Sequence, residues 1–308
     1  MCRFRHYHPW VYSFNGQPSS INHKTSIWLH QKIRYIARST VASSAANGPK
    51  TTLPAHLDIP VRKPNQVALS HYYSVGKSYL EFYKTGIKNI YYNYKASQLV
   101  QKLIDSKYDG DVSSAIRARA ITRSDFQLLT RNWHDLKRVP LFGLTIAFFG
   151  EFTPLVAIAF GNIVPLTCRI PAQITKEREK IEEMRHRAFQ KIAANAPDQE
   201  ELADLHCKQL ALICESLRLT SRIWNLLGGP PSIVMKRKVQ KRLEYLTQDD
   251  DLIEFAGGVG EMNSEEVIMA LIQRGIDVLR RDESLLRSDL KSWLLSRRRV
   301  SIIRLLLT

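Results

Sequence analysis

Apolar residues recur at helical spacing along most of this chain, and the pattern predicts an all-α protein. Residues 67–107 form a dense apolar and aromatic stretch, residues 124–136 form a second, and residues 174–194 form a charged helix with one apolar stripe. The last hundred residues predict two helical hairpins, which would build a C-terminal all-helical soluble domain over 172–308. The first hairpin pairs 202–219 with 233–246, and the second pairs 264–274 with 284–295.

Residues 140–164 depart from this pattern, because they are apolar on every face and carry a single charge, Glu151. A helix of this length is roughly 37 Å long, enough to cross a bilayer core of about 30 Å. The segment therefore predicts a single transmembrane helix over 139–165, and the alternative is a buried helix of a soluble protein. A carboxylate near the middle of a bilayer costs about 2.5 kcal/mol or more, so Glu151 is expected to have a partner or a function.

The first 45 residues have the composition of a mitochondrial transit peptide. No Asp or Glu occurs before Asp58, whereas Arg, Lys, Ser and Thr are frequent and residues 25–37 form a loosely amphipathic basic helix. The alternative is a disordered basic tail. Residues 46–66, which are rich in Pro, Ser and Ala, are expected to be an irregular linker.

Residues 67–138 predict a helical pre-membrane segment in which tyrosines alternate with lysines. Such a pattern can stack nucleic-acid bases, but beside a membrane span it favours a helix at the headgroup surface. The C-terminal domain carries its own basic cluster, which could contact RNA phosphates or acidic protein surfaces; the alternative is a solvated or lipid-facing helix face. This candidate ribosome-binding cluster consists of Lys236, Arg237, Lys238, Lys241 and Arg242.

The sequence excludes several classes of function. Its four cysteines form no C-x-x-C pair and no zinc spacing, and we find no phosphate loop and no catalytic triad, so neither an enzyme nor a cofactor or metal site is expected. Residues 1–138 hold 21 Lys and Arg against 7 Asp and Glu, whereas residues 174–308 hold 23 against 21. The C-terminal domain is therefore nearly neutral, so its overall charge does not indicate a nucleic-acid-binding domain, and no DNA partner is expected.

Several residue groups follow one another in an order similar to that of a known family. They are His71-Tyr72-Tyr73, Gly76-Lys77, Thr122-Arg123, Leu128-Leu129, Asp135-Leu136, Arg138-Val139-Pro140, Glu151-Phe152, Pro154, Pro165, Asp249-Asp250-Asp251, Arg274-Gly275 and Trp293-Leu294. On these residues the chain resembles the LETM family of the mitochondrial inner membrane, the leucine zipper–EF-hand-containing transmembrane proteins. No segment fits the EF-hand loop, because Asp249-Asp250-Asp251 lacks the required Gly and terminal Glu.

The resemblance implies a single-pass inner-membrane protein whose C-terminal domain lies in the matrix and binds mitochondrial ribosomes. Such a protein would support the membrane insertion of respiratory-chain subunits and ion homeostasis, with inner-membrane lipid and a homo-oligomer among its partners. The alternative implied by the family is an oligomeric, proton-coupled K⁺ or Ca²⁺ exchanger that uses Glu151. In that case Pro140, Pro154 and Pro165 would flank an intramembrane ion pathway.

Overall fold

The computed structural model describes residues 45–64, 67–150, 163–192, 205, 207–220, 224 and 229–307. These residues form ten α-helices and three short 3-10 helices, with no strand among them, so the all-α prediction is confirmed for the described chain. The 3-10 helices are Lys50–Thr52, Leu166–Cys168 and Val259–Glu261. The α-helices are α1 Ala68–Tyr108, α2 Val112–Arg117, α3 Arg123–Leu136, α4 Val139–Phe149, α5 Pro171–Ile192, α6 Cys207–Ser216, α7 Ser232–Phe255, α8 Ser264–Arg274, α9 Glu283–Ser296 and α10 Ile302–Leu307.

The pre-membrane segment is helical, as the sequence predicted, and it is built on the long helix α1. Helix α3 packs along α1 and begins at a capping box, in which Thr122 and Asp125 satisfy each other's backbone N–H groups. The middle of α1 packs against the segment that follows residue 162 so closely that a Cβ on Gly86 would lie 2.6 Å from Cys168 Sγ. Glycine is therefore required at residue 86 by the approach of the two backbones.

The C-terminal helices close around an apolar core of their own. Fully buried Leu246, Leu271 and Leu290 contribute to it from α7, α8 and α9, and both predicted hairpins are present. Gly275 ends α8 in the left-handed conformation (φ 82°), as a C-terminal glycine should. Helix α7 continues to Phe255, beyond the predicted end, and therefore includes the acidic run that begins at Asp249.

The expected linker contributes to the core in its first part. Ala46 and Asn47 are buried, and the Asn47 side chain donates to the carbonyl of Glu261 at 2.9 Å and accepts from the N–H of Asn263 at 2.7 Å. The Gly48 N–H donates to Glu266. Residues 46–48 are thus held by the C-terminal domain more than 200 residues later in the chain.

Helix α4 covers the first part of the segment expected to be helical over 139–165, and residues 151–162 lie outside the described residues. Helix α4 spans 11 residues and ends at Gly150, whose φ of 49° takes the chain out of helical geometry. On the far side, Leu166 donates its N–H to Asp135 Oδ1 at 2.6 Å, which places residue 166 beside the end of α3. In the described part of the chain, none of the helices combines the length and apolar character that a bilayer crossing requires.

Candidate functional site

Helix α7 divides into two chemically different halves, and both bear on function. Its first half carries the basic cluster, and its second half carries Asp249 and Asp250, which are fully buried. Isolated buried carboxylates would be strongly destabilising, so each must be paired. The pairing partners come from two other helices, α3 and α8.

An ionic network links α3 of the pre-membrane segment to α7 and α8 of the C-terminal domain. Arg123 donates from Nε to Asp249 Oδ1 at 2.8 Å and from Nη1 to Glu266 Oε2 at 2.9 Å. Arg131 donates two parallel hydrogen bonds, each 2.8 Å long, to the Glu266 carboxylate. On the C-terminal side, Arg274 pairs with Asp249 at 2.9 Å. Three arginines and three carboxylates, including Asp250 beside Arg274, thus neutralise one another in a water-excluded position.

The network shifts the acidity of its carboxylates in opposite directions. Burial tends to raise the pKa of Asp249, but Arg123 and Arg274 outweigh it and lower that pKa to about 2. Burial likewise opposes ionisation of Glu266, and Arg131 with Arg123 lowers its pKa. Asp250 differs, because burial dominates and raises its pKa despite contacts with Arg274, Arg297 and the Trp293 indole. Asp249 and Glu266 are therefore the members of the network that require charge.

This arrangement can hold two structural units together, but it does not suit a metal ion. Every carboxylate of the network faces at least one guanidinium, which removes the negative charge a cation site needs. Within the described ranges, no cluster of His, Cys, Asp and Glu could hold a metal.

The structure separates the five residues of the candidate ribosome-binding cluster. Arg237 and Lys241 are exposed and Lys236 is half-buried. Lys238 donates to the carbonyl of Leu219 at 2.8 Å, and the Arg242 guanidinium lies 5.7 Å from the ring centroid of Tyr245. Burial lowers the pKa of Arg242. The outward half of the cluster is available to a partner, whereas Lys238 and Arg242 contribute to the fold.

The candidate intramembrane residues fall into two groups. Pro140 lies in the first turn of α4, where proline is well tolerated, and Pro165 precedes the 3-10 helix Leu166–Cys168. Glu151 and Pro154 lie outside the described residues. The role of Glu151 in ion exchange therefore stays a prediction.

The sequence analysis did not single out the ionic network, although α3 carries a signal of it. Arg123, Gln127, Arg131 and Asp135 recur every four residues and occupy one face of an amphipathic helix. The sequence predicts the apolar residues within 124–136 as the inward face of this helix. All four of these polar residues are in fact buried, because α7, α8 and the segment after residue 163 pack against this stripe.

Comparison with family models gives two overlapping matches. Residues 197–308 match the model described as "LETM1-like, RBD", and residues 62–222 match the model described as "Pentamidine resistance factor domain". The second covers 161 of the 308 residues, more than half of the chain. Comparisons with curated proteins and with solved structures find no significant match. The two matched regions overlap over residues 197–222, which include α6.

Proposed function

We propose that this chain, which belongs to the LETM family, is a mitochondrial inner-membrane protein whose C-terminal domain binds mitochondrial ribosomes on the matrix side. In that position it would support the membrane insertion of newly made respiratory-chain subunits. The observation that carries the proposal is the match of residues 197–308 to a LETM1-like ribosome-binding domain. The same residues, where described, form a helical unit with its own apolar core.

The docking of this domain supports the adaptor role. Arg123 and Arg131 of the pre-membrane segment bind Asp249 and Glu266 of the C-terminal domain in a buried position. Breaking buried ion pairs of this kind costs about 3–5 kcal/mol, so the two units are held in a fixed relative orientation. A ribosome bound to the C-terminal domain would therefore be held at a defined position relative to α4.

The surface of α7 indicates which residues a test should change. Lys236 is half-buried and Arg237 is exposed, whereas Lys238 donates to the carbonyl of Leu219 within the fold. A charge-reversing substitution of Lys238 or Arg242 would also disturb the fold, so a loss of binding could not be separated from a loss of folding. The useful variant is therefore Lys236→Glu with Arg237→Glu.

The proposal is tested by co-sedimentation of the solubilised full-length protein with mitochondrial ribosomes. We expect the Lys236→Glu, Arg237→Glu variant to bind several-fold more weakly, and wild-type binding to weaken as salt rises, because phosphate contacts are screened. The matched control is Lys102→Glu with Lys107→Glu, the same charge change at exposed positions of α1. Wild-type affinity in the α7 variant, together with binding that is insensitive to salt, would contradict the proposal.

A further inference from the structure

The residues on the two sides of the apolar segment meet at one end of the molecule. Asp135, at the end of α3, accepts hydrogen bonds from the Leu166 N–H at 2.6 Å and from Thr167 Oγ1 at 3.1 Å. Val164 is buried in the same apolar core as Phe142 of α4. The chain therefore leaves the helical body along α4 and returns to it beside the base of the same helix.

Helix α4 presents apolar side chains outward at this end. Leu141, Leu144 and Phe149 are each about half exposed, and Phe148 is 82% exposed. A helix of a water-soluble body would normally cover such a face, since contiguous exposed apolar surface marks an interaction site. Thr145 is the one polar residue between Val139 and Phe149, and its hydroxyl donates to the carbonyl of Leu141 within the same helix.

Basic residues from two distant parts of the chain surround the base of α4. Helices α3 and α7 run antiparallel, because Arg123 pairs with Asp249 and Gln127 with Tyr245. This packing brings the end of α3 beside the basic half of α7, where the charges of Lys137 and Lys241 repel each other. The Lys137 ammonium also lies 4.6 Å from the ring centroid of Trp133, which is 48% exposed.

The arginines at this base have carboxylate partners, whereas two of its lysines have none among the described residues. Arg138, Arg169 and Arg218 interact with two carboxylates, Asp135 and Glu177. Among the described residues, neither Lys137 nor Lys241 pairs with a carboxylate. Burial and the nearby Lys241 and Arg138 lower the pKa of Lys137. Two lysines without a described carboxylate partner thus lie near each other where the exposed apolar helix begins, and an anion would relieve their repulsion.

We propose that this end of the molecule is a one-sided docking face for anionic phospholipid. Helix α4 enters the acyl region, the Trp133 indole lies at the headgroup boundary, and Lys137 and Lys241 bind the lipid phosphate between them. Residues before α4 and residues after 163 lie on the same side of the membrane. The inference rests on the membrane attachment in the proposed function, but it replaces a single crossing by insertion from one face.

The one-sided arrangement is tested by counting how many accessible thiols each protein molecule carries. The full-length protein carrying Cys2→Ser and Lys107→Cys is reconstituted in closed vesicles and treated with a membrane-impermeant maleimide. Residue 107 precedes α4 and exposed Cys207 follows the segment. Cys168 and Cys214 are buried, and burial raises their pKa to about 12 and about 11, so both thiols are unreactive near neutral pH.

Mass spectrometry of the intact protein then counts the labels on each molecule. Insertion from one face gives molecules with two labels or none, whichever way they are oriented in the vesicle. A single crossing gives one label on every molecule, and that result overturns the one-sided arrangement. Labelling in detergent, where both thiols are accessible, is the control and should give two labels throughout.

Quenching of tryptophan fluorescence by brominated lipids tests the chemistry of the partner. We expect brominated phosphatidylglycerol to quench more effectively than brominated phosphatidylcholine at equal mole fraction, and Trp133→Phe to remove most of that difference. Lys137→Ala with Lys241→Ala should reduce the preference for the anionic lipid by about fivefold for each lysine. Lys102→Ala with Lys107→Ala on α1 is the matched control and should retain the preference.

The outcomes separate this inference from the proposed function. Equal quenching by both lipids in the wild type, or a preference that survives in the Lys137, Lys241 variant, overturns the phosphate site while leaving ribosome binding untouched. Loss of ribosome co-sedimentation in that variant with its lipid preference intact would assign the two lysines to RNA instead. Quenching by neither lipid contradicts both the docking face and membrane attachment.

Discussion

Arg123 and Glu266 are 143 residues apart in the sequence, yet Arg123 Nη1 lies 2.9 Å from Glu266 Oε2 and both side chains are at most 2% exposed. This ion pair joins the pre-membrane segment to the C-terminal domain. Arg123 also binds Asp249 and the carbonyl of Ala46, so one guanidinium contacts three separate parts of the chain.

Substitution of Arg123 by alanine should strongly destabilise the protein. The change leaves Asp249 and Glu266 each without one of their cations in a buried position, which costs about 3–5 kcal/mol. Denaturant unfolding followed by circular dichroism measures the loss. Arg117→Ala is the matched control, because its pair with Asp111 is exposed and worth at most about 1 kcal/mol. Equal effects of the two substitutions would show that the network does not hold the domains together.

Acid should weaken the folded state through Asp249. Its pKa is about 2 in the folded protein against 3.8 for the unfolded chain, so its contribution is fully present above about pH 4 and is lost as the pH falls towards 2. The difference corresponds to about 2 kcal/mol. Asp250, whose pKa is raised by burial, contributes with the opposite sign.

The pH dependence is measured by urea unfolding at intervals between pH 5 and pH 2. In Asp249→Asn the side chain cannot titrate, so stability should start lower and fall less steeply over the same interval. A slope identical to that of the wild type would mean that other carboxylates control the acid response.

Two glycines of α1 should respond to alanine in opposite ways. At Gly86 a Cβ would lie 2.6 Å from Cys168 Sγ and 2.9 Å from the carbonyl oxygen of Thr167, so Gly86→Ala should force the two segments apart and cost about 1–3 kcal/mol. At Gly76 nothing lies within 4 Å, and Gly76→Ala should stabilise the helix by up to about 1 kcal/mol. Thermal unfolding of both variants checks the sign of each change.

The residue at which the folded chain begins should matter for stability. A chain that begins at Ala45 keeps the contacts of Ala46, Asn47 and Gly48 with Arg123, Glu261 and Glu266. A chain that begins at Leu53 loses them and leaves buried polar groups unsatisfied, at about 1–3 kcal/mol for each group. The second chain should therefore unfold at a markedly lower temperature. If both chains unfold at the same temperature, residues 45–52 contribute nothing to the core.

Local patterns in the sequence determined the helices and their ends. Spacing of apolar residues placed α1, α3, α5, α8 and α9 to within a few residues, whereas α7 runs nine residues past its predicted end at 246; Gly275 marked the end of α8. These features depend on residues three to four positions apart, which a single sequence displays directly. The ordered residue groups likewise predicted the LETM family, which the comparisons confirm.

Only the tertiary structure decided which polar residues are buried and where the apolar segment leads. Arg123 and Arg131 are ordinary helix-surface residues by sequence, and they become core residues because Asp249 and Glu266 approach from more than 100 residues away. Residues 140–164 have the composition of a crossing helix, but Gly150 ends α4 and Asp135 holds Leu166 beside its base. Hydropathy reports how apolar a segment is, whereas the positions of the residues that flank it depend on contacts between residues distant in the chain.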